Sequence, residues 1–336
     1  MPESSSDPSN GAGPDSNKGE FQLIHDYFQQ QPLHRSDVLL GIGDDGAIVS
    51  LAKEKQLVLV MDTMISGVHF PDSTSAYDLG WKSLAVNLSD LAAMGAEPAW
   101  LTLALTLPHS DEQWVQKFSH GLFELASRYD VQLIGGDTTR GPLTVTVQAH
   151  GFVEQGQALL RNGAKAGDLI YVSGYPGEAA LGLELIQSNN RQHPSFELLS
   201  RRLNRPIPRI ELGLSLSGIA TSCIDISDGL LADLHHILDD SGAGANIWVD
   251  QLPVSPAYQA VANTESFYLP LLSGGDDYEL LFTIPANKQD EIAQIEADIS
   301  LTCIGEITPG KGIQCLDPSG KKIEVARLGY DHFLEA

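Results

Sequence analysis

The sequence predicts an α/β (α+β) protein made of two domains of similar size. Helical and strand-like periodicities alternate along the chain, which is typical of sheets covered by helices. A glycine-containing segment at 161–168 separates two halves that repeat this mixed pattern. Acidic turns follow strand-like runs in both halves, which favours a site in the cleft between the domains. We therefore divide the chain into a tail (1–18), an N-terminal domain (19–153) and a C-terminal domain (154–336).

The N-terminal half contains the strongest helical pattern of the chain. Apolar residues at helical spacing predict a helix over 77–94, and Gly95 is a stop signal. The other predictions are helices over 20–30 and 111–129, and strands over 38–40, 47–51, 57–61, 100–107, 131–134 and 143–153.

The C-terminal half alternates in the same way. Its predicted strands are 169–172, 223–226, 246–249, 278–284 and 301–304, and its predicted helices are a segment from 177, one near 210, 229–238 and 288–296. No repeat of solenoid type is present in the sequence.

Composition excludes several classes of partner. The 336 residues carry a formal charge of −24, so neither a nucleic acid nor an anionic membrane is an expected partner. The longest nearly apolar stretch, 99–107, is too short to span a bilayer. The negative charge also disfavours binding of a small anionic substrate. A substrate anion and a carboxylate about 4 Å apart repel each other by roughly 4 kcal/mol at an effective dielectric constant near 20. A phosphate would need bound cations in such a cleft.

Cysteine usage and the first residues bear on the compartment. Cys223, Cys303 and Cys315 have no metal-ligand spacing, so we expect reduced thiols and a cytoplasmic protein. The segment 1–18 is rich in Ser, Pro, Gly, Asp and Asn and has no apolar core. We expect it to be a disordered tail rather than a signal peptide or an anchor.

Four acidic phrases set in glycine carry most of the chemical information. Glycine permits a tight turn and a close approach to a ligand, and aspartate adds the hard oxygen that magnesium prefers. An isolated phrase of this kind is usually an ordinary turn or, before a helix, an N-cap. Their recurrence instead indicates a composite site for metal ions and a phosphorylated substrate. The phrases lie at 41–46, 135–137, 225–229 and 273–277.

The sequence excludes two common nucleotide-binding motifs, the dinucleotide-binding G-x-G-x-x-G motif and the P-loop. The segment 41–46 matches G-x-G-x-x-G, but a strand-like run follows it where the dinucleotide fold requires a helix. The segment 305–312 is one residue short of a P-loop, because Gly312 stands where a hydroxyl residue would hold magnesium. We interpret it as a turn.

Four further residues have both a functional and a structural interpretation. Asp90 lies late in an apolar helical pattern and belongs either to a site or to an exposed polar face. His69 is either a ligand-binding or a structural histidine. Arg161 would bind phosphate or face solvent, and Tyr330 would stack on a ring or dock the C-terminal segment.

Taken together, these phrases in this order resemble the thiamine-monophosphate kinases, of the superfamily that includes aminoimidazole ribonucleotide synthetase and selenophosphate synthetase. Each phrase alone is weakly specific, whereas the combination is specific to the kinases. The matching stretches are 19–21, 41–47, 62–63, 67–70, 85–95, 135–140, 161–168, 225–229 and 273–280.

The resemblance implies a fold and an activity. The implied fold has two α/β domains, and the N-terminal domains of two copies pair into a β-barrel, giving a homodimer. The implied reaction transfers the γ-phosphoryl group of ATP to thiamine monophosphate, which is the last step of thiamine diphosphate synthesis. ATP and thiamine monophosphate are thus the expected partners, with several Mg²⁺ ions as cofactors.

The resemblance also implies roles for individual residues. Gly136, Asp137, Arg161 and Ser227 would contact ATP, while His69, Asp276 and Tyr330 would contact the thiamine substrate, His69 across the dimer. The implied magnesium ligands are Asp45, Asp62, Asp90, Asp137, Asp225 and Asp228.

The sequence departs from the family pattern at two places. Val60 and Met61 stand where the family commonly has hydroxyl residues, so backbone carbonyls would have to serve there. Asp276 stands where a Glu is usual, which shortens that side chain by one methylene.

The implied chemistry needs no general base, since the accepting phosphate oxygen is already ionised. We expect direct in-line transfer between two aligned anions, without a phosphoenzyme and without a catalytic side chain beyond the metal ligands. The alternatives are a sister synthetase acting on a formyl-amide or a selenide, and a non-catalytic metal- or nucleotide-binding protein. The N-terminal region lacks a reactive cysteine, which argues against the selenide reaction.

Overall fold

The computed structural model describes residues 18–296, 298–325 and 329–330. The predicted tail lies outside these residues except for Lys18, whose ammonium lies 3.0 Å from a carboxylate oxygen of Asp26 and 2.9 Å from one of Glu112. In the described ranges, none of the helices combines the length and apolar character that crossing a bilayer requires.

The N-terminal domain is a sheet covered by two long helices. A π-helical turn, Ile24–Gln29, directly continues its first helix. Its elements are α1 (Glu20–Leu23), β1 (Val38–Leu40), β2 (Ile48–Val49), β3 (Lys55–Ile65), α2 (Ala76–Ala93), β4 (Glu97–Leu107), α3 (Glu112–Arg128), β5 (Gln132–Arg140) and β6 (Thr144–Glu154).

The C-terminal domain has a larger sheet with helices on its faces. Short 3₁₀ turns occur at Val249–Gln251, Thr264–Ser266 and Ala286–Lys288. Its elements are β7 (Asp168–Ser173), α4 (Glu178–Gln187), α5 (Phe196–Asn204), α6 (Ile210–Ser215), β8 (Ser222–Asp225), α7 (Leu230–Ser241), β9 (Gly244–Trp248), α8 (Pro256–Val261), α9 (Leu269–Ser273), β10 (Leu280–Pro285), α10 (Gln289–Ile292), β11 (Leu301–Thr308), β12 (Gly312–Leu316) and β13 (Lys322–Ile323).

Sheet topology separates the two domains. The N-terminal sheet has the order β3-β6-β4-β5, and β1 and β2 form a separate two-stranded ribbon. The C-terminal sheet has the order β13-β12-β9-β11-β7-β10-β8, in which only the β12–β9 pair is parallel among the described strands. In the N-terminal sheet β3 and β5 are the edge strands, and the β4–β5 pair is parallel.

Helix α2 lies between the two domains. Ser75 caps its N-terminus by accepting the amide of Asp78 at 3.1 Å. Most of its residues are buried, including Leu84, Ala85 and Leu88 with no exposed surface. A helix that is apolar on nearly all sides must be covered on nearly all sides, and here one apolar cluster continues from the N-terminal sheet through α2 to one face of the C-terminal sheet.

A short segment of the C-terminal domain, 205–209, fixes this arrangement. The indole of Trp81 donates to the carbonyl of Pro206 at 2.9 Å, and the Tyr129 hydroxyl donates to the carbonyl of Pro208 at 3.0 Å. Arg209 forms a buried bidentate pair with Glu279, with one bond of 2.7 Å from its Nε. Helices α2 and α3 are therefore bonded directly to the domain that carries the 273–277 phrase.

Most predicted elements are present, with four differences. The strand expected to end at Ile134 continues as β5 to Arg140, because the segment 135–140 pairs with β4. The helix expected over 20–30 changes to π-helical pitch at Ile24, and the helix expected over 288–296 is only α10. The segment 305–312 is a turn only at its centre, since β11 ends at Thr308 and β12 begins at Gly312.

Candidate active site

Three aspartates from three elements meet between the domains. Asp62 lies near the end of β3, Asp90 in the last turns of α2, and Asp225 is the last residue of β8. The carboxyl groups of Asp62 and Asp90 lie close enough to share a proton when one of them is protonated, and the Ser89 hydroxyl donates to Asp225 at 2.6 Å. The interpretation of Asp90 as part of an exposed polar face is therefore wrong.

Burial and mutual repulsion shape the charge state of this carboxylate cluster, Asp62, Asp90 and Asp225. Burial, followed by the charges of Asp225 and Asp62, raises the pKa of Asp90 to about 9. Burial raises the pKa of Asp225 to about 6, and it also raises the pKa of Asp62. Three carboxyl groups this close do not all ionise without cations. Their hard oxygens are the donors that Mg²⁺ prefers, so the residues fit that ion.

Asp228 lies beside the cluster on a turn that a buried side chain organises. A carboxylate oxygen of Asp233, which is 2% exposed, accepts the amides of Ser227, Asp228 and Gly229 at 3.0–3.1 Å. Asp62 and Asp228 line the same cleft, and the charge of Asp228 contributes to raising the pKa of Asp62. Sequence reasoning missed Asp233, although an acidic residue in the first turns of a helix after a glycine turn is a usable signal.

The first of two clefts beside the cluster contains Arg161. It has a volume of about 650 Å³, and its lining includes Asp90, Asp225, Asn162 and Met61. The Arg161 side chain is exposed, and its positive charge favours ionisation of Asp90 and Asp225. A guanidinium next to carboxylates can bind an anion that reaches this cleft together with cations.

The second cleft contains the residues expected to bind the thiamine substrate. It has a volume of about 510 Å³, and its lining includes Asp62, Ser227 and Asp228 together with His69, Asp276 and Tyr330. Met61 lines both clefts, so they meet at this position of β3. His69 lines the cleft of its own chain, where its Nδ1 accepts the amide of Ile65 at 3.1 Å. The expectation that His69 reaches the site of a second copy stays a prediction.

Two residues missed from the sequence hold Asp276. The ammonium of Lys82, on α2, lies 2.9 Å from Oδ1 of Asp276, and the hydroxyl of Tyr278 donates to the same oxygen at 3.0 Å. A lysine within a helical pattern is normally solvent-facing, so the sequence carries no signal for this pair.

The remaining predicted residues, Asp45, Gly136 and Asp137, lie elsewhere in the chain. Asp137 is an exposed residue of β5, and Asp45 is exposed in the turn between β1 and β2. A small apolar depression is lined by Gly136 and Asp137 together with Phe28 and Ile42. Because β6 and β4 lie between β3 and β5, Asp62 and Asp137 are three strand spacings apart, roughly 14 Å.

One chain therefore does not assemble all of the expected ligands. Four of the six predicted metal ligands, Asp62, Asp90, Asp225 and Asp228, lie together, while Asp45 and Asp137 do not join them. Within the described ranges no three His, Cys, Asp or Glu side chains have the geometry of a preformed metal site. The four residues expected to contact ATP are likewise divided among separate regions.

Comparison with protein families identifies both domains. Residues 43–153 match the model of AIR synthase related protein, N-terminal domain, and residues 165–317 match that of the C-terminal domain. The thiamine-monophosphate kinase of Escherichia coli (strain K12) is 47% identical over 319 residues, covering 94% of this chain and 98% of that protein.

Solved structures agree with the two-domain α/β fold. The crystal structure of thiamine-monophosphate kinase from Stenotrophomonas maltophilia K279a matches with a TM-score of 0.84 and 47% identity, over 90% of this chain and 97% of that one. AaThiL complexed with AMPPCP and TMP matches with a TM-score of 0.75 and 32% identity, over 87% and 92%. The expected enzyme class, a thiamine-phosphate kinase, is thereby confirmed, and the chain belongs to the thiamine-monophosphate kinase family.

Proposed function

We propose that this chain transfers the γ-phosphoryl group of ATP directly to thiamine monophosphate, in a homodimer and with several Mg²⁺ ions. The observation that carries the proposal is the buried carboxylate cluster at the junction of the two clefts. One cleft offers Arg161 to an anion, and the other offers Asp276 and Tyr330 to an aromatic cation. The family membership and the AaThiL complex with AMPPCP and TMP support the same pair of substrates.

The residues of the clefts suit alignment rather than acid–base chemistry. Arg161 would hold an anionic oxygen of ATP, while His69, Asp276 and Tyr330 would hold the thiamine part of the acceptor. The accepting phosphate oxygen is ionised at neutral pH, so the side chains only need to bring the two anions into line. Bound Mg²⁺ would neutralise the charge on both phosphate groups. Because α2 and the 273–277 phrase are bonded together, the two clefts keep a fixed relation.

The proposed metal ligands are Asp62, Asp90, Asp225 and Asp228 of one chain with Asp45 and Asp137 of a second copy. The strand order supports this division for Asp137, because two carboxylates roughly 14 Å apart cannot bind one metal ion at distances of about 2.1 Å. Asp45 is assigned together with Asp137 because Ile42, in the same turn as Asp45, lines the depression beside Asp137. Gly136 of the second copy would contact ATP next to Asp137. Arg161 and Ser227 would come from the first chain.

An exposed apolar strand supports the homodimer. Strand β3 is an edge strand of 11 residues, and its side chains at alternate positions are exposed. Long apolar edges of this kind are rarely left uncovered in soluble proteins. A second copy, pairing its N-terminal domain into a barrel, would cover these residues and bring its β5 towards the cluster. The exposed apolar side chains are Leu57, Leu59, Met61 and Ile65.

The test is a coupled assay of ADP formation from ATP and thiamine monophosphate. We expect turnover that requires Mg²⁺ and stops with EDTA. Asp137→Asn and Asp228→Asn should nearly abolish turnover without unfolding the protein. Metal-independent turnover, or near-normal rates in either variant, would contradict the metal assignment. Absence of turnover with this acceptor would instead favour a sister synthetase or a non-catalytic binding protein.

The direct nature of the transfer has a separate test. Acid quenching of the enzyme during turnover with γ-labelled ATP should leave no label on the protein. A labelled protein that forms and decays at the rate of turnover would replace direct transfer with a phosphoenzyme route.

A further inference from the structure

A buried lysine forms an ion pair with the carboxylate expected to bind substrate. Lys82 is 1% exposed, and its ammonium lies 2.9 Å from Oδ1 of Asp276. The hydroxyl of Tyr278 donates to the same oxygen at 3.0 Å. A buried ammonium is costly unless it is paired, so this contact ties the two side chains closely together.

The second oxygen of this carboxylate is available to a ligand. Among the described residues no donor bonds Oδ2 of Asp276, and the side chain is 30% exposed and lines the second cleft. Lys82 and Tyr278 thus occupy one oxygen and leave the other as an acceptor towards the cleft. A carboxylate fixed in this way recognises a donor group at one position.

The same helix reaches the carboxylate cluster. Lys82, Val86 and Asp90 are spaced by four residues along α2, so they follow one face of the helix. Val86 lines the second cleft between the other two. Eight residues of α-helix span about 12 Å, so α2 sets a fixed length between Asp276 and the cluster.

The backbone around Asp276 is strained and held in place. Asp276 and Tyr278 have φ values of 67° and 52°, which are uncommon for residues with a side chain. The amide of Asp276 donates to the carbonyl of Ser227, and that of Tyr278 to the carbonyl of Ile226, both at 2.8 Å. These anchors belong to the C-terminal domain, whereas Lys82 anchors the loop to the N-terminal domain. Strain of this kind persists where the surroundings hold a functional group in place.

We propose that Lys82, acting with Tyr278, is a positioning residue that orients Asp276 for recognition of the thiamine substrate and sets its distance from the carboxylate cluster. The inference rests on the proposed function, because it assigns Asp276 to the acceptor substrate. It explains how the short side chain of Asp276 is kept in one orientation at the cleft.

The experiment measures steady-state kinetics of Lys82→Met with Mg²⁺, ATP and thiamine monophosphate. We expect KM for thiamine monophosphate to rise about tenfold or more, since a carboxylate displaced by 1 Å can cost up to a hundredfold. KM for ATP should stay within about twofold, because the ion pair lies in the other cleft. In an Asp276→Asn background, Lys82→Met should add no further increase, since Lys82 acts through that carboxylate.

Arg205→Met is the matched control. Arg205 also pairs with a carboxylate of α2, that of Asp78, and its guanidinium lies over the ring of Tyr77. Removing it disturbs the same helix away from the clefts, so KM for thiamine monophosphate should not change. An equal rise of both KM values in Lys82→Met, an unchanged KM, or effects that multiply in the double variant would overturn the proposal.

Two further outcomes are distinguishable. Absence of turnover by the wild-type protein overturns the proposed function and this inference with it. Normal wild-type turnover, with a KM for thiamine monophosphate that Lys82→Met leaves unchanged, overturns this inference alone. If Lys82→Met does not fold, Tyr278→Phe removes the second donor to the same oxygen without leaving a buried charge. It should raise KM for thiamine monophosphate about threefold, and an unchanged KM would overturn the proposal.

Discussion

Asp62 and Gly136 lie in one transverse row of the N-terminal sheet, on its two opposite edge strands. Asp62 pairs with Val147 of β6, which lies opposite Leu103 of β4, and Leu103 in turn pairs with Gly136 of β5. Asp137, which follows Gly136, lies one residue beyond this row, in the row of Thr63, so it is three strands away from Asp62 and its side chain leaves the opposite face of the sheet. In the homodimer that we propose, a second copy that closes the sheet would bring its β5, which carries Asp137, next to β3 of the first chain.

This relationship predicts complementation between two inactive variants. Asp62→Asn and Asp137→Asn should each be nearly inactive, whereas an equal mixture after subunit exchange should recover about a quarter of wild-type turnover. Half of the dimers are then mixed, and each mixed dimer has one site with both carboxylates intact. The measurement is ADP formation after co-refolding or co-expression.

A mixture of Asp62→Asn and Asp90→Asn is the control for complementation. These two residues lie in one cluster of one chain, so every site of the mixture lacks one of them and turnover should stay low. The same absence of recovery in the Asp62→Asn and Asp137→Asn mixture would show that the two residues act within one chain or in separate sites.

A second prediction concerns the buried acceptor Asp233. Asp233→Ala leaves the amides of Ser227, Asp228 and Gly229 without their acceptor, so it should destabilise the protein by about 2 kcal/mol or more. It should also lower turnover, because the turn that carries Asp228 loses its support. Asp233→Asn retains an acceptor oxygen, so it should reduce stability and turnover less than Asp233→Ala does. Thermal unfolding and the ADP assay measure the two effects, and an unchanged melting temperature for Asp233→Ala would contradict the prediction.

The order of the elements in the N-terminal domain and part of the candidate site could be predicted from the sequence. Helix α2 has strong apolar periodicity and a stop at Gly95, so its predicted bounds differ from the observed ones by one residue at each end. Asp225 ends a short apolar strand and Asp228 lies in the turn after it, so both could be placed at the end of β8. These features are local, and their local signals were sufficient.

The rest of the site depends on contacts between distant segments. Lys82 is a charged residue in a helix, and only its tertiary partner Asp276 explains its burial. The glycine pair at 135–136 indicated a loop, but pairing with β4 overrides that preference and extends β5. The separation of Asp137 from Asp62 follows from strand order, which no motif encodes.

A third prediction concerns the pH dependence of stability. Arg35 forms two bonds to Asp37, and the indole of Trp100 donates to it at 3.1 Å, which lowers the pKa of Asp37 below its ordinary value of 3.8. A lowered folded-state pKa stabilises the protein above the unfolded-state value, and this stabilisation is lost as the pH falls through the folded-state value. Asp37→Asn should thus destabilise by about 1 kcal/mol at pH 7, and less below about pH 4.

The other partner of Arg35 provides the control for this pair. The side chain of Asp130 is 69% exposed, so Asp130→Asn should change stability little at any pH. Denaturant unfolding of the three proteins between pH 3 and pH 7 measures the difference. A destabilisation by Asp37→Asn that stays constant across this range would show that its ionisation contributes nothing.

A fourth prediction concerns the buried pair of Arg209 and Glu279. Arg209→Met leaves the Glu279 carboxylate buried, and in the described part of the chain the Ser173 hydroxyl, at 2.5 Å, is then its only side-chain donor, so we expect a loss of stability of about 3–5 kcal/mol. The double variant Arg209→Met/Glu279→Gln removes the buried charge and should recover part of that loss. Denaturant unfolding measures both, and a double variant that is less stable than Arg209→Met would contradict this explanation.

A fifth prediction compares alanine substitutions at the two glycines 135 and 136. The comparison tests whether this segment needs glycine for close approach of two strands or for backbone flexibility. A Cβ at Gly136 would lie 1.9 Å from the carbonyl oxygen of Leu103, whereas a Cβ at Gly135 would meet nothing within 4 Å. Gly136→Ala must therefore push β5 away from β4 and displace Asp137, so it should lower the melting temperature by several degrees and nearly abolish turnover. Gly135→Ala should leave the melting temperature close to that of the wild type. Equal effects of the two substitutions would show that this segment needs backbone freedom rather than close approach of β4 and β5.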